Sequence, residues 1–142
     1  MATATLDTTT ERGKHVERRL REDIIAWLTT VRPNGQPDSV PVWFLWDGET
    51  ILIYSRPDKT KLHNLARNPR VTLTIDDTKG GGDVIRIEGT ARVVDGHPPA
   101  QDVPAYAAKY GDSIRYIGYA DAADFAQHYS VAIVVTTARF RV

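Results

Sequence analysis

The chain has 142 residues, with 18 Lys and Arg balanced by 18 Asp and Glu, and no cysteine. That length suits one domain, able to bury roughly 70% of the surface its unfolded form exposes. Zero net charge excludes a global field drawing the chain to nucleic acid or an anionic membrane, and the missing Cys excludes disulfides, thiolate metal sites and thiol nucleophiles.

In chain order, residues 1–10 are rich in Thr and Ala and lack the apolar run of a secretory signal. They read as a flexible tail ahead of a single domain at 11–142. No apolar run approaches the ~20 residues that span a bilayer, so a cytoplasmic protein is expected. Glu11 to Glu22 is highly charged, with Val16 and Leu20 as its few apolar positions, and suits a surface helix. Ile24 to Val31 reads as a strand. Asn34-Gly35 between apolar runs is a strong hairpin signal. Ser39 to Trp46 is the expected return strand, Asp47-Gly48 a second turn and Thr50 to Ser55 a third strand, together an antiparallel meander.

A cationic loop follows, with Arg56, Lys59 and Lys61, and leads into a helix at about Lys59 to Arg67. Leu62, Leu65 and Ala66 form its apolar face. Lysines at a helix N-terminus oppose the macrodipole at about 0.3–1 kcal/mol each when exposed. An anion between them removes that conflict, and backbone N–H groups point the right way to hold one. Asn64, three residues after Lys61, would present its amide on the same face. Two solvated lysines are the plain alternative.

Arg70 to Asp76 and Val84 to Val94 read as further strands, the second with Gly89 as a bulge or corner. Gly80-Gly81-Gly82 lacks the Gly-Lys-Ser/Thr of a phosphate loop and reads as a flexible connection. Ala100 to Tyr110 and Asp121 to His128 look helical, separated by Gly111 and Gly118, and Tyr129 to Val142 ends the chain as a strand. Short antiparallel strands with helices only in the connections point to a mainly β, α+β small barrel.

Among the remaining candidates, Pro41 to Trp46 is almost wholly apolar, as for a strand covered on both faces or one whose aromatics flank a planar ring or a dimer contact. His15, His63, His97 and His128 have no metal-ligand spacing, and no metal site is expected. Tyr106, Tyr110, Tyr116, Tyr119 and Tyr129 cluster in the last third, as packing groups or as the lining of a pocket. Arg139 and Arg141 share one face of the last strand, as a solvated edge or a second cationic contribution from a partner subunit. No catalytic residue is identified.

Taken together, Thr29 to Pro37, Val40 to Phe44, Tyr54 to Pro57 and Lys61 to Val71 resemble the pyridoxamine-5′-phosphate-oxidase-like split β-barrel superfamily. Within it they are most similar to the small B-type deazaflavin (coenzyme F420)-dependent reductases. The likeness is closest over about Ile24 to Val94. It implies a six-stranded antiparallel split barrel with short connecting helices. It also implies a homodimer with cofactor at the subunit interface. The cofactor phosphate would lie at Lys61 and Asn64, with Lys59, Ser55 and the adjoining Tyr54 nearby. The ring would lie along Val40, Pro41, Val42 and Trp43. From its place on the last strand, Arg139 is added to the candidate cofactor contacts, as a contribution from a partner subunit. Basic Arg56, Arg67, Lys14, Arg18 and Arg19 are candidates for an acidic cofactor tail. The implied activity is hydride transfer from reduced F420 to a small activated organic acceptor. The alternatives are an FMN-binding oxidoreductase or a non-catalytic cofactor carrier.

Overall fold

A computed structural model describes residues 3–76 and 78–142. The elements run α1 (Glu11–Glu22), β1 (Ala26–Val31), β2 (Pro37–Val42), β3 (Leu45–Trp46), β4 (Thr50–Ser55), α2 (Thr60–Arg67), β5 (Arg70–Ile75), β6 (Ile85–Val94), a 3-10 turn (Ala100–Asp102), α3 (Pro104–Tyr116), α4 (Ala122–His128) and β7 (Val131–Arg141). The strands form one antiparallel sheet in the order β2-β1-β5-β6-β7-β4-β3. This is the expected split-barrel architecture, with seven strands in place of six.

The extra strand arises where the sequence shows a single apolar run. β2 pairs with β1, from Ala26 opposite Val42 to Val31 opposite Pro37. β3 pairs instead with β4, at the other end of the sheet. The chain therefore leaves one edge at Trp43-Phe44 and rejoins at the opposite edge, and the expected three-stranded meander does not form. The break is stabilised by polar groups on α3. The Phe44 N–H donates to the Tyr110 hydroxyl at 2.8 Å, and the Phe44 carbonyl accepts from Lys109 Nζ at 2.8 Å. Side chains thus satisfy backbone groups that a continuous strand would have paired.

The inner faces of both ends of the sheet share one core. Leu28 and Val42 belong to it, as do Trp46, Ile51 and Ile53, with Val16 and Leu20 of α1 plugging the opening. Thr10 caps α1 by accepting from the Gly13 N–H at 3.0 Å. The segment ahead of α1, expected to be a free tail, lies against β7: the Ala4 N–H donates to the Thr137 carbonyl at 2.7 Å, and Leu6 packs on the core. A second core fills the space between the outer face of β4–β7 and helices α3 and α4, with Leu52, Tyr54, Tyr106, Tyr110 and Phe125 at its centre. α3 runs straight through Gly111, where the sequence suggested a stop, and ends before Gly118, whose φ is +105°.

Two glycine expectations hold. Gly35 takes φ +87° in the β1–β2 turn, where the Asn34 carboxamide oxygen accepts from the Gln36 N–H at 3.0 Å. Gly89 sits at the register shift between β6 and β7, and a Cβ there would stand 2.2 Å from the Thr136 carbonyl oxygen. Only glycine permits that approach. No helix among the described residues is long and apolar enough to cross a membrane.

Candidate functional site

The broken strand, the end of β4 and the start of α2 converge on a cleft of about 290 Å³. Pro41, Val42 and Trp43 form one wall, and Tyr54 and Lys61 another; Tyr106, Phe125 and Tyr129 come from the α3–α4 layer, with Ile25 and Ile117 at the margins. The lining is aromatic and aliphatic with one full positive charge. Such a site grips a flat, apolar ligand and orients it by a few polar groups.

Lys61 is half-buried, in the first turn of α2. Burial first, and then the neighbouring Lys59 charge, hold its ammonium below the ordinary lysine value. No hydrogen bond or ion pair to Lys61 forms among the described residues. A partly desolvated cation without a counter-charge is costly, and an anionic ligand is the direct remedy. Lys59 is the N-cap of α2 and is exposed, outside the cleft lining. Asp58, just before it, has φ +61° and turns the chain into the helix.

Asn64 departs from the expectation. It is only 2% exposed, and its amide donates to Thr30 Oγ1 at 2.9 Å. The docking face of α2 is therefore Leu62, Asn64 and Leu65, while Ala66 is exposed. Hydrophobic periodicity missed this because a buried Asn with a buried Thr partner substitutes for an apolar pair. Ser55 is likewise buried, its hydroxyl donating to the Arg56 carbonyl at 2.8 Å. Val40 packs against the barrel core rather than the cleft. Arg139 is exposed in a separate groove with Arg86, Phe140 and Arg141. Val131, at the start of β7, pairs with Ser55. Arg139 lies eight residues further on, about 26 Å along the strand, so it does not reach this protomer's Lys61.

Of the five clustered tyrosines, Tyr106 and Tyr129 line the cleft and Tyr110 backs its Trp43 wall, whereas Tyr116 is 91% exposed. The Trp43 ring stacks on Tyr110 at 4.8 Å and on Phe125 at 5.5 Å between centroids. Tyr54 meets Tyr106 edge-on at 4.9 Å and donates its hydroxyl to the Pro98 carbonyl at 2.6 Å. Burial, and then the Asp102 carboxylate, push the Tyr54 phenol up to about 12. Tyr106 and Tyr129 were legible only as members of a tyrosine cluster and Phe125 was not singled out; their place in the same cleft as Lys61 depends on how α3 and α4 pack.

The family profile described as Pyridoxamine 5'-phosphate oxidase matches residues 13–142. The chain belongs to the pyridoxamine 5'-phosphate oxidase family. Among curated proteins, none matches it. A solved F420 reductase is 28% identical, covering 88% of this chain and 94% of that one, with a TM-score of 0.64. A putative pyridoxamine 5'-phosphate oxidase from Listeria innocua is 19% identical over 90% of this chain and 94% of its own, with a TM-score of 0.65. The heme storage protein HutZ from Vibrio cholerae is 14% identical over 98% and 95%, with a TM-score of 0.64. The last two likenesses establish the fold. The pyridoxamine 5'-phosphate oxidase scaffold thus occurs in proteins described as oxidases, reductases and heme-storage proteins, and function has to be argued from the cleft.

Proposed function

We propose that this chain is a homodimeric oxidoreductase that binds reduced coenzyme F420 and delivers a hydride to a small activated organic acceptor. The observation that carries it is the half-buried Lys61 ammonium, without a partner among the described residues, at the end of a cleft walled by Pro41, Val42 and Trp43. The 28% identical F420 reductase supports the choice of cofactor. Lys61 would hold the cofactor phosphate, with Lys59 adding charge from outside. The β2 edge and Trp43 would bound the ring. Asn64 and Ser55 act here as braces that fix α2 and the end of β4. The bound deazaflavin supplies the hydride; the protein binds, orients and excludes water.

The cleft opens beside an apolar surface. Ile24 and Ile25 are each 41% exposed and Trp27 is 50% exposed, in register with Pro41. Exposed apolar groups continuous with a ligand site are what a second subunit would cover.

FMN is the second reading, and one observation favours it. Several basic groups expected to meet an acidic tail are engaged elsewhere. Arg19 pairs with Asp23 and Asp83 at 2.7 Å each, Arg18 contacts His15 at 2.7 Å, and Lys14 pairs with Glu11 at 3.3 Å. FMN has the phosphate without the tail. The decisive experiment is titration with F420 and, separately, with FMN. Micromolar binding of F420 is expected, and F420 reduced beforehand should be reoxidised when an acceptor is added. Binding of FMN alone selects the second reading, bound cofactor that no acceptor reoxidises selects a carrier, and binding of neither removes the oxidoreductase assignment.

A further inference from the structure

Outside the cleft, one lysine stands in a setting that favours its neutral form. Lys109 of α3 is half-buried and lines a groove of about 370 Å³ that it shares with Arg21, Leu45 and Trp46. Its Nζ donates to the Phe44 carbonyl at 2.8 Å and lies 3.5 Å from the Leu20 carbonyl. It is 3.9 Å from the centre of the Phe44 ring and 5.2 Å from that of Tyr110. Among the described residues no carboxylate pairs with it. Two carbonyls match the two N–H groups of a neutral amine and leave its lone pair unengaged, whereas an ammonium carries a third donor. Burial draws the group down to about 8, with the Asp23 charge opposing, so a sizeable share is neutral near physiological pH. A neutral lysine is a nucleophile. The groove also holds a permanent cation. Arg21 grips Glu17 through Nε and Nη2 at 2.7 Å each, and its Nη1 has no partner among the described residues.

We propose that Lys109 is an acylation site for small acyl phosphates, with Arg21 receiving the phosphate in the groove and the Lys109 amine attacking the acyl carbon. An acyl phosphate joins an electrophilic carbon to an anionic leaving group, which are the two things this pair of side chains can meet. The groove, near the lower end of ligand pockets, admits so small a donor and not a bulky acyl carrier. In the step, the bond from Nζ to the acyl carbon forms. The bond from that carbon to the bridging phosphate oxygen breaks, inorganic phosphate leaves with the electron pair, and the amine proton passes to solvent. No oxidant or further reactant is needed. Acylation turns a cation into a neutral amide with a single N–H. The Phe44 and Leu20 carbonyls then compete for one donor, and the break between β2 and β3 loses part of its support. The site is independent of the oxidoreductase reading, since it shares no residue with the cleft.

The probe is acetyl phosphate, added to the full chain near neutral pH without cofactor, with acetylation at each lysine followed over time by peptide mass spectrometry. Lys109 should react about tenfold faster than the exposed Lys14 and Lys79, its larger neutral share outweighing its lower basicity. The lead should vanish in urea, where burial and groove are both lost. Acetic anhydride, which carries no phosphate, is the comparison reagent. In Arg21→Gln the Lys109 rate with acetyl phosphate should fall several-fold, and the rate with acetic anhydride should hold. Inorganic phosphate added to the wild type should slow acetyl phosphate at Lys109 and leave acetic anhydride unaffected, which gives the same reading without a substitution. A Lys109 no faster than Lys14 and Lys79 would overturn the proposal. So would a lead that persists in urea, or one that neither Arg21→Gln nor inorganic phosphate reduces, or one that both reduce equally for the two reagents.

Discussion

The residues facing the cleft divide into those that can meet a ligand and those that hold them in place. Lys61 is of the first kind. Lys61→Ala should weaken cofactor binding by about 1.5–3 kcal/mol, the usual worth of a charged hydrogen bond. Because burial and Lys59 lower the Lys61 proton affinity, wild-type affinity should fall as pH rises through that lowered value, and the alanine variant should lose this pH dependence. Isothermal titration across pH checks both. Asn64 is of the second kind. Asn64→Ala strands the hydroxyl of Thr30, itself only 1% exposed, and should cost about 1–3 kcal/mol in urea unfolding. Lys109 is held over the Phe44 ring at 3.9 Å and donates to the Phe44 carbonyl, yet burial draws it down to about 8. The folded chain therefore releases this proton before the unfolded chain does. Between about 8 and the ordinary value of 10.5, the unfolded state binds more protons and stability rises with pH. Lys109→Met should flatten that rise when melting temperature is followed against pH.

At the scale of elements, α1, the β1–β2 hairpin, β4, β5, β6, α4 and β7 follow from periodicity and turn chemistry, with shifts of a few residues at their ends. The Gly89 bulge is one such local signal. Gly89→Ala should drive a Cβ into the Thr136 carbonyl and destabilise the fold by about 1–3 kcal/mol or more, measured by urea unfolding. The elements misjudged from sequence are those whose ends depend on distant partners. The Pro41 to Trp46 run looks continuous because both of its halves are apolar; it splits because Tyr110 and Lys109 reach the Phe44 backbone. α3 passes Gly111 because Tyr106, Tyr110 and Ile114 bury one face across that position. A glycine costs about 1 kcal/mol in a helix, less than such burial returns.

At the scale of the whole molecule, the homodimer proposed above should use the exposed apolar surface around Ile24, Ile25 and Trp27. Trp27→Asp should keep the fold, since the side chain is half exposed, and shift the protein to monomer in light scattering after size exclusion. By itself the sequence determined the class of fold, most strand positions, and the use of Lys61 beside the Pro41–Trp43 strand as a candidate anion and ring site. Those follow from local spacing, turn residues and a run of motifs adjacent in the chain. Only the tertiary structure decided that Asn64 and Ser55 are buried outside the cleft lining, that Arg139 belongs to another groove, and that Tyr106 is buried among Tyr54, Tyr110 and Phe125. Each of those depends on which side chain meets which across long sequence separations, and periodicity carries no record of that.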